Sequence, residues 1–125
     1  MTRAISLWAP VVAYMALIFM VSGRPVPPDV EHLLPDKLVH AGEYAVLAAL
    51  LVRACAGGWP RPLSMGVCVT AVILAVAYGV SDELHQSLVP ARRMDAADLL
   101  ADTVGAVCAA TALYAWGIIR ARNAL

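Results

Sequence analysis

The chain has 125 residues, of which 62% are hydrophobic and only 14% charged, and its mean hydropathy is +0.76. Soluble domains usually carry about 25% charged residues, so an ordinary water-soluble domain is excluded, and the length fits one domain over residues 1–125. Nine basic and nine acidic residues cancel, which leaves no basic surface for nucleic acid.

A helix crossing a bilayer core needs about 20 apolar residues, and four such spans are readable. The first, Ala4 to Val21, is interrupted only by Ser6 and Pro10. Thr2-Arg3 before it and Val21-Ser22-Gly23 after it are reminiscent of a cleaved leader, but the apolar stretch is long for one and further spans follow, so a retained helix is expected. Gly23-Arg24-Pro25 and Pro27-Pro28 break the chain. The second span, Leu38 to Ala56, carries His40, Glu43 and Arg53, and Gly57-Gly58-Trp59-Pro60 ends it. The third, Leu63 to Val80, has no charge, and the link from Ser81 to Met94 contains Pro90. The fourth, Ala96 to Ile119, has Asp98 and Asp102 in its first two turns. The expected fold is an all-α membrane protein of four transmembrane helices (approximately 4–21, 38–56, 63–80 and 96–119) in a compact bundle. Cys55, Cys68 and Cys108 show no paired spacing and read as buried free thiols.

The acidic residues and histidines all fall in two windows. The first holds Asp29, Glu31, His32, Asp36, His40 and Glu43; the second holds Asp82, Glu83, His85, Asp95, Asp98 and Asp102. Two spans lie between the windows, so both reach the same membrane face and can form one site. On the second helix Asp36, Lys37, His40, Glu43 and Tyr44 share an arc of about 120°, opposite Leu38, Val39, Ala45 and Val46. On the fourth, Asp95, Asp98 and Asp102 lie within about 60° of each other. Ala101, Gly105 and Ala109 form a small-residue track there, as Ala41, Ala45 and Ala49 do on the second helix; such tracks permit close helix contact. The polar cluster is thus expected at the outer ends of helices 2 and 4 and in the 3–4 link. Asp82, Glu83 and His85 are expected in that link at the membrane surface, solvated by water. His32 reads as a solvated loop residue.

Several chemistries suit these residues. His40 or His85 with Asp82 or Glu83 could do general acid–base work on a headgroup. Arg92 and Arg93 suit a phosphate and the acids suit an amine. His40, His85, Asp82 and Glu83 are able to ligate a metal, but no H-x-x-x-H or H-E-x-x-H pair occurs, so neither metal nor cofactor is expected. Ser81 and Ser87 flank His85, a weak nucleophile signal. The bland alternative is an ion-paired staple between helices 2 and 4. It explains the cluster poorly, because nine acids face Lys37, Arg92 and Arg93.

The same residues carry a resemblance. Lys37-x-x-His40-x-x-x-Tyr44, then Asp82-Glu83-x-x-Gln86 followed by Pro90 and Arg92, then Asp98-x-x-x-Asp102 before Gly105, resemble the VanZ-like family of small bacterial membrane proteins over roughly residues 5 to 120. Asp102 stands where that family often has Asn. The resemblance implies a multi-pass envelope protein and, through the founding member, a link to resistance against the glycopeptide teicoplanin.

Together these readings give an expected function: binding or modifying an amphiphile, lipid headgroup or cell-wall-related ligand at the outer leaflet. The expected site is Lys37, His40, Glu43, Tyr44, Asp82, Glu83, Gln86, Arg92, Asp98 and Asp102, with His40, Asp82, Glu83 and His85 as catalytic candidates. The alternatives are an acid–base or metal-dependent membrane enzyme on a lipid-linked substrate, and a structural partner of another envelope protein. Catalysis and simple binding are not separable on sequence. Arg3, Arg53, Arg61, Arg120 and Arg122 outnumber Arg24, Lys37, Arg92 and Arg93, which predicts cytoplasmic termini in the bacterial inner membrane.

Overall fold

The computed structural model describes residues 2–25, 35–59, 63–90 and 92–123. Asp29, Glu31, His32, Pro27-Pro28, Pro60 and Arg61 lie outside the described residues. Four helices account for most of the rest: α1 (Thr2–Ser22), α2 (Asp36–Cys55), α3 (Met65–Gln86) and α4 (Ala96–Asn123). With 20 residues in α2 and 28 in α4, they run about 30–42 Å, against about 30 Å for a hydrocarbon core. All four are long and apolar enough to cross a membrane. The protein is an all-helical membrane protein, as its composition implies.

Local chemistry sets the helix ends. Asp36 lies in the first turn of α2, where its charge meets the positive end of the helix dipole. Gly57 and Gly58, at φ 74° and 109°, turn the chain after α2 through backbone that side chains disfavour. Ser64 caps α3 by accepting the Val67 N–H at 3.2 Å. Asp95 caps α4: its Oδ1 accepts the Ala97 N–H at 2.8 Å. Arg120 and Arg122 complement the last turn of α4.

One boundary differs from expectation in a way that matters. Helix α3 continues to Gln86, so Asp82, Glu83, His85 and Gln86 form its last turns and are not part of a solvated link. No glycine or proline interrupts Val80 to Val89, so nothing in the backbone stops the helix where hydropathy falls.

Helix α2 is the hub. Its broadest interface is with α4, it also packs on α3, and α1 rests on α2 and more lightly on α3. Gly105 makes the α2–α4 contact possible, because a Cβ there would fall on the Ala41 backbone carbonyl; the two small-residue tracks meet at this point. The core joins Val11 and Ile18 of α1, Tyr44, Leu47, Ala48, Leu51 and Val52 of α2, Ala71 and Ala75 of α3, and Ala106 and Ala110 of α4. Of the three free cysteines only Cys68 is buried; Cys108 is exposed on the bundle exterior.

The polarity of the molecule is inverted. Leu38, Ile73, Leu84 and Leu100 are among its exposed large apolar residues, whereas Ser22, His40, Asp82, Glu83, Gln86, Asp98 and Asp102 are buried. That pattern is costly in water and natural in lipid, where ionisable groups face the bundle interior. The opposite end is built differently: Arg3 donates to the Gly57 carbonyl at 2.9 Å, Trp59 meets Trp116 edge-on, and Arg120 lies over the Trp116 ring. Aromatic and arginine residues of this kind suit a membrane interface.

Candidate functional site

All four helices deliver polar groups to one end of the bundle. From α2, Lys37 donates to Asp95 Oδ2 at 2.8 Å and also to Asp98. His40 follows one turn deeper, with Nδ1 2.9 Å from Asp102 Oδ1 and Nε2 3.8 Å from Asp98 Oδ2. Lys37, Asp98, His40 and Asp102 therefore form a polar chain that runs inward along the α2–α4 contact. Its inner members are shielded: His40 is 8% exposed and Asp102 1%.

A second chain crosses from α1 through α3. Ser22 Oγ donates to Asp82 Oδ1 at 2.6 Å, Gln86 Nε2 donates to Asp82 Oδ2 at 3.1 Å, and Arg92 donates to Gln86 Oε1 at 2.9 Å. Spacing of four residues on α3 brings Asp82 and Gln86 together on one face. Glu83 fastens α3 to the first chain. Its Oε2 accepts the Asp95 N–H at 2.8 Å, and Asp95 in turn holds Lys37.

Asp95 lies outside the spanning helices. The Lys37 hydrogen bond, then the Ala97 N–H, hold its carboxyl below the usual carboxylate range. A depressed value favours the folded state above the unfolded value of about 4, and that contribution disappears as the pH falls through the depressed value.

Most of the residues expected from sequence converge here: Lys37, His40, Asp82, Glu83, Gln86, Arg92, Asp98 and Asp102 are joined by the hydrogen bonds above. Tyr44 is buried at 1% exposure with its hydroxyl unpartnered, and Glu43 is half-buried. The expectation that Asp82 and Glu83 are solvated at the surface is corrected, since they are 4% and 2% exposed. His85 also differs from the expectation. Its ring stacks on Phe19 at 3.9 Å and 17°, so it faces α1 and joins neither group of mutually close ligating side chains among the described residues.

Sequence reasoning missed Ser22 and Phe19. Ser22 had a signal, a small polar residue closing an apolar span, but it reads equally well as the end of a leader. An apolar hollow between α3 and α4, lined by Cys68, Val72, Ala110 and Tyr114 among others, lies towards the opposite end and shares no residue with the site.

Four apolar helices with a buried polar network at one end define a small multi-pass membrane protein. The VanZ/LLP1 family matches residues 15–119, and the chain belongs to that family. That range contains the lysine–histidine–tyrosine, aspartate–glutamate–glutamine and paired-aspartate motifs. Comparison with curated proteins and with solved structures gives no match.

Proposed function

We propose that the polar end of the bundle binds the headgroup of a membrane amphiphile or lipid-linked cell-envelope precursor at the outer leaflet. The observation that carries this reading is the joint contribution of α1, α2, α3 and α4 to hydrogen-bonded polar groups gathered at one end of the bundle. Four buried carboxylates, on Asp82, Glu83, Asp98 and Asp102, are more than a helix-packing device needs, because ionisable groups inside a membrane carry a cost. Arg92 reaches Gln86 with one guanidinium nitrogen and retains donors for a phosphate, while Arg93 is exposed beside it. The family link to teicoplanin resistance agrees with an envelope ligand.

The test is retention of phosphatidylglycerol by purified protein in detergent, read by native mass spectrometry. Removing one charge-assisted contact in Arg92→Gln should weaken retention about tenfold, equivalent to about 1.4 kcal/mol. Equal retention by wild type and variant would remove phosphate recognition from the account.

The orientation belongs to the same proposal: the site faces outward and the arginine–tryptophan end faces the cytoplasm of a bacterial inner membrane. With the native cysteines replaced, Ser87→Cys should react with an impermeant thiol reagent in intact spheroplasts and Gly58→Cys should not. The reverse pattern inverts the assignment.

A second reading, acid–base chemistry on the bound headgroup, is favoured by the buried pairing of His40 with Asp102. It calls for the same ligand to be retained and then turned over.

A further inference from the structure

Three ionisable side chains from three different helices meet inside the polar network. His40 of α2, Glu83 of α3 and Asp102 of α4 are all buried, and one potential ligand atom from each lies within 4.8 Å of the others. Ligands bound to one cation at about 2.0–2.2 Å lie about 3 Å apart when adjacent and about 4 Å apart when opposite. His40 Nδ1 and Asp102 Oδ1, at 2.9 Å, already have the adjacent spacing.

Convergence alone is also what an ion pair gives, and the chain from Lys37 to Asp102 accounts for Asp98, His40 and Asp102. It does not account for two further atoms. Glu83 Oε1 is buried without a hydrogen-bond partner on a residue only 2% exposed, although Oε2 is satisfied by the Asp95 N–H. The Tyr44 hydroxyl is likewise unpartnered, on a residue 1% exposed. The Tyr44 ring and Asp102 both face Gly79, where a Cβ would meet Asp102 Oδ2 at 3.2 Å and the ring at 3.3 Å. Buried polar atoms are normally satisfied, so the orphaned oxygen of Glu83, one of the three converging side chains, marks a place for something besides protein.

Charge points the same way. Lys37 serves Asp98 and Asp95, and Arg92 is engaged by Gln86. Glu83 and Asp102 are left with only the His40 imidazole as a nearby basic group among the described residues. A neutral imidazole and two carboxylates would match one divalent charge.

We propose that His40, Glu83 and Asp102 form a binding site for a divalent cation of the Mn²⁺ or Zn²⁺ class. One imidazole and two carboxylates, without thiolate, are donors that suit these ions. Three protein ligands leave coordination positions open, one for water and one for an anionic oxygen of whatever ligand enters. The set escapes motif reading because each ligand stands alone on its helix, 43 and 19 positions apart along the chain (40 to 83, then 83 to 102). The inference goes beyond headgroup binding and does not depend on it.

The experiment titrates chelator-stripped, detergent-purified full-length protein with Mn²⁺ and follows the six-line electron paramagnetic resonance signal of free Mn²⁺. Wild type should suppress that signal to one equivalent, and Zn²⁺ should restore it by displacement. Glu83→Gln keeps an oxygen for the Asp95 N–H yet should weaken Mn²⁺ binding at least about tenfold, and Asp102→Asn should do the same. Arg122→Gln, an exposed charge in the last turn of α4 at the opposite end of the bundle, should bind as wild type does. A wild-type protein that leaves the free signal intact overturns the site, because it then holds a water or only its own ion pairs. Glu83→Gln binding as tightly as wild type overturns it as well. The wild-type titration decides the matter even if a variant fails to fold. Phosphatidylglycerol retention measured in chelator separates failure of the cation site from failure of headgroup binding.

Discussion

At the scale of single residues, Gly105 and Asp102 do opposite jobs on neighbouring turns of α4. Gly105 has no side chain so that the α2 backbone at Ala41 can come close; Asp102 uses the resulting proximity to reach His40 at 2.9 Å. A methyl group at position 105 must push the helices apart and stretch that bond. Gly105→Ala should therefore cost about 1–3 kcal/mol, the range for an overpacked contact. Gly42→Ala is the control, because a Cβ there meets nothing within 4 Å; on helix propensity alone it should gain about 0.5–1 kcal/mol. Melting of both variants in detergent checks the contrast, and equal effects would mean that the small-residue track is incidental.

At the scale of elements, the last turns of α3 are the least expected part of the molecule. Helical spacing on α2 and α4 was legible, because Lys37, His40 and Tyr44 on one and Asp98, Asp102 and Gly105 on the other recur every three or four residues. The end of α3 was not legible. Hydropathy falls at Ser81, and a drop in hydropathy looks like the end of a span even where the helix continues with its polar face turned inward. Asp82, Glu83 and Gln86 are buried because α1, α2 and α4 cover them, a tertiary fact with no local signature. His85 points the other way, onto Phe19 of α1, and with the Ser22–Asp82 bond it fastens α1 to α3. His85→Ala should thus lower stability by about 0.5–1.5 kcal/mol, as loss of an aromatic pair does. His85→Phe should retain the stack. If His85→Ala melts like wild type, the ring is not a fastener, and its buried, unpartnered Nδ1 regains interest as chemistry.

At the scale of the whole molecule, the inversion of polarity ties fold to function. Lipid solvates Leu38, Ile73 and Leu100 on the outside, so the interior is free to hold what a soluble core excludes. Aliphatic packing occupies the middle of the bundle, arginine and tryptophan occupy one end, and the carboxylates, His40 and Lys37 occupy the other. The distribution of acids along the chain foretold which helix ends would be polar; it did not foretell that α1 contributes through Ser22, or that His40, Glu83 and Asp102 meet.

The described residues of two windows far apart in sequence meet at one end of the bundle. Lys37 and Asp95 hydrogen-bond at 2.8 Å across those windows, so a cysteine pair at these positions reports on it directly. With Cys55, Cys68 and Cys108 replaced by alanine, Lys37→Cys/Asp95→Cys should form a disulfide rapidly in native membranes under mild oxidant, and Arg53→Cys/Asp95→Cys should not. Equal cross-linking of the two pairs, or none at 37 and 95, would mean that the windows do not meet and that the single site does not exist.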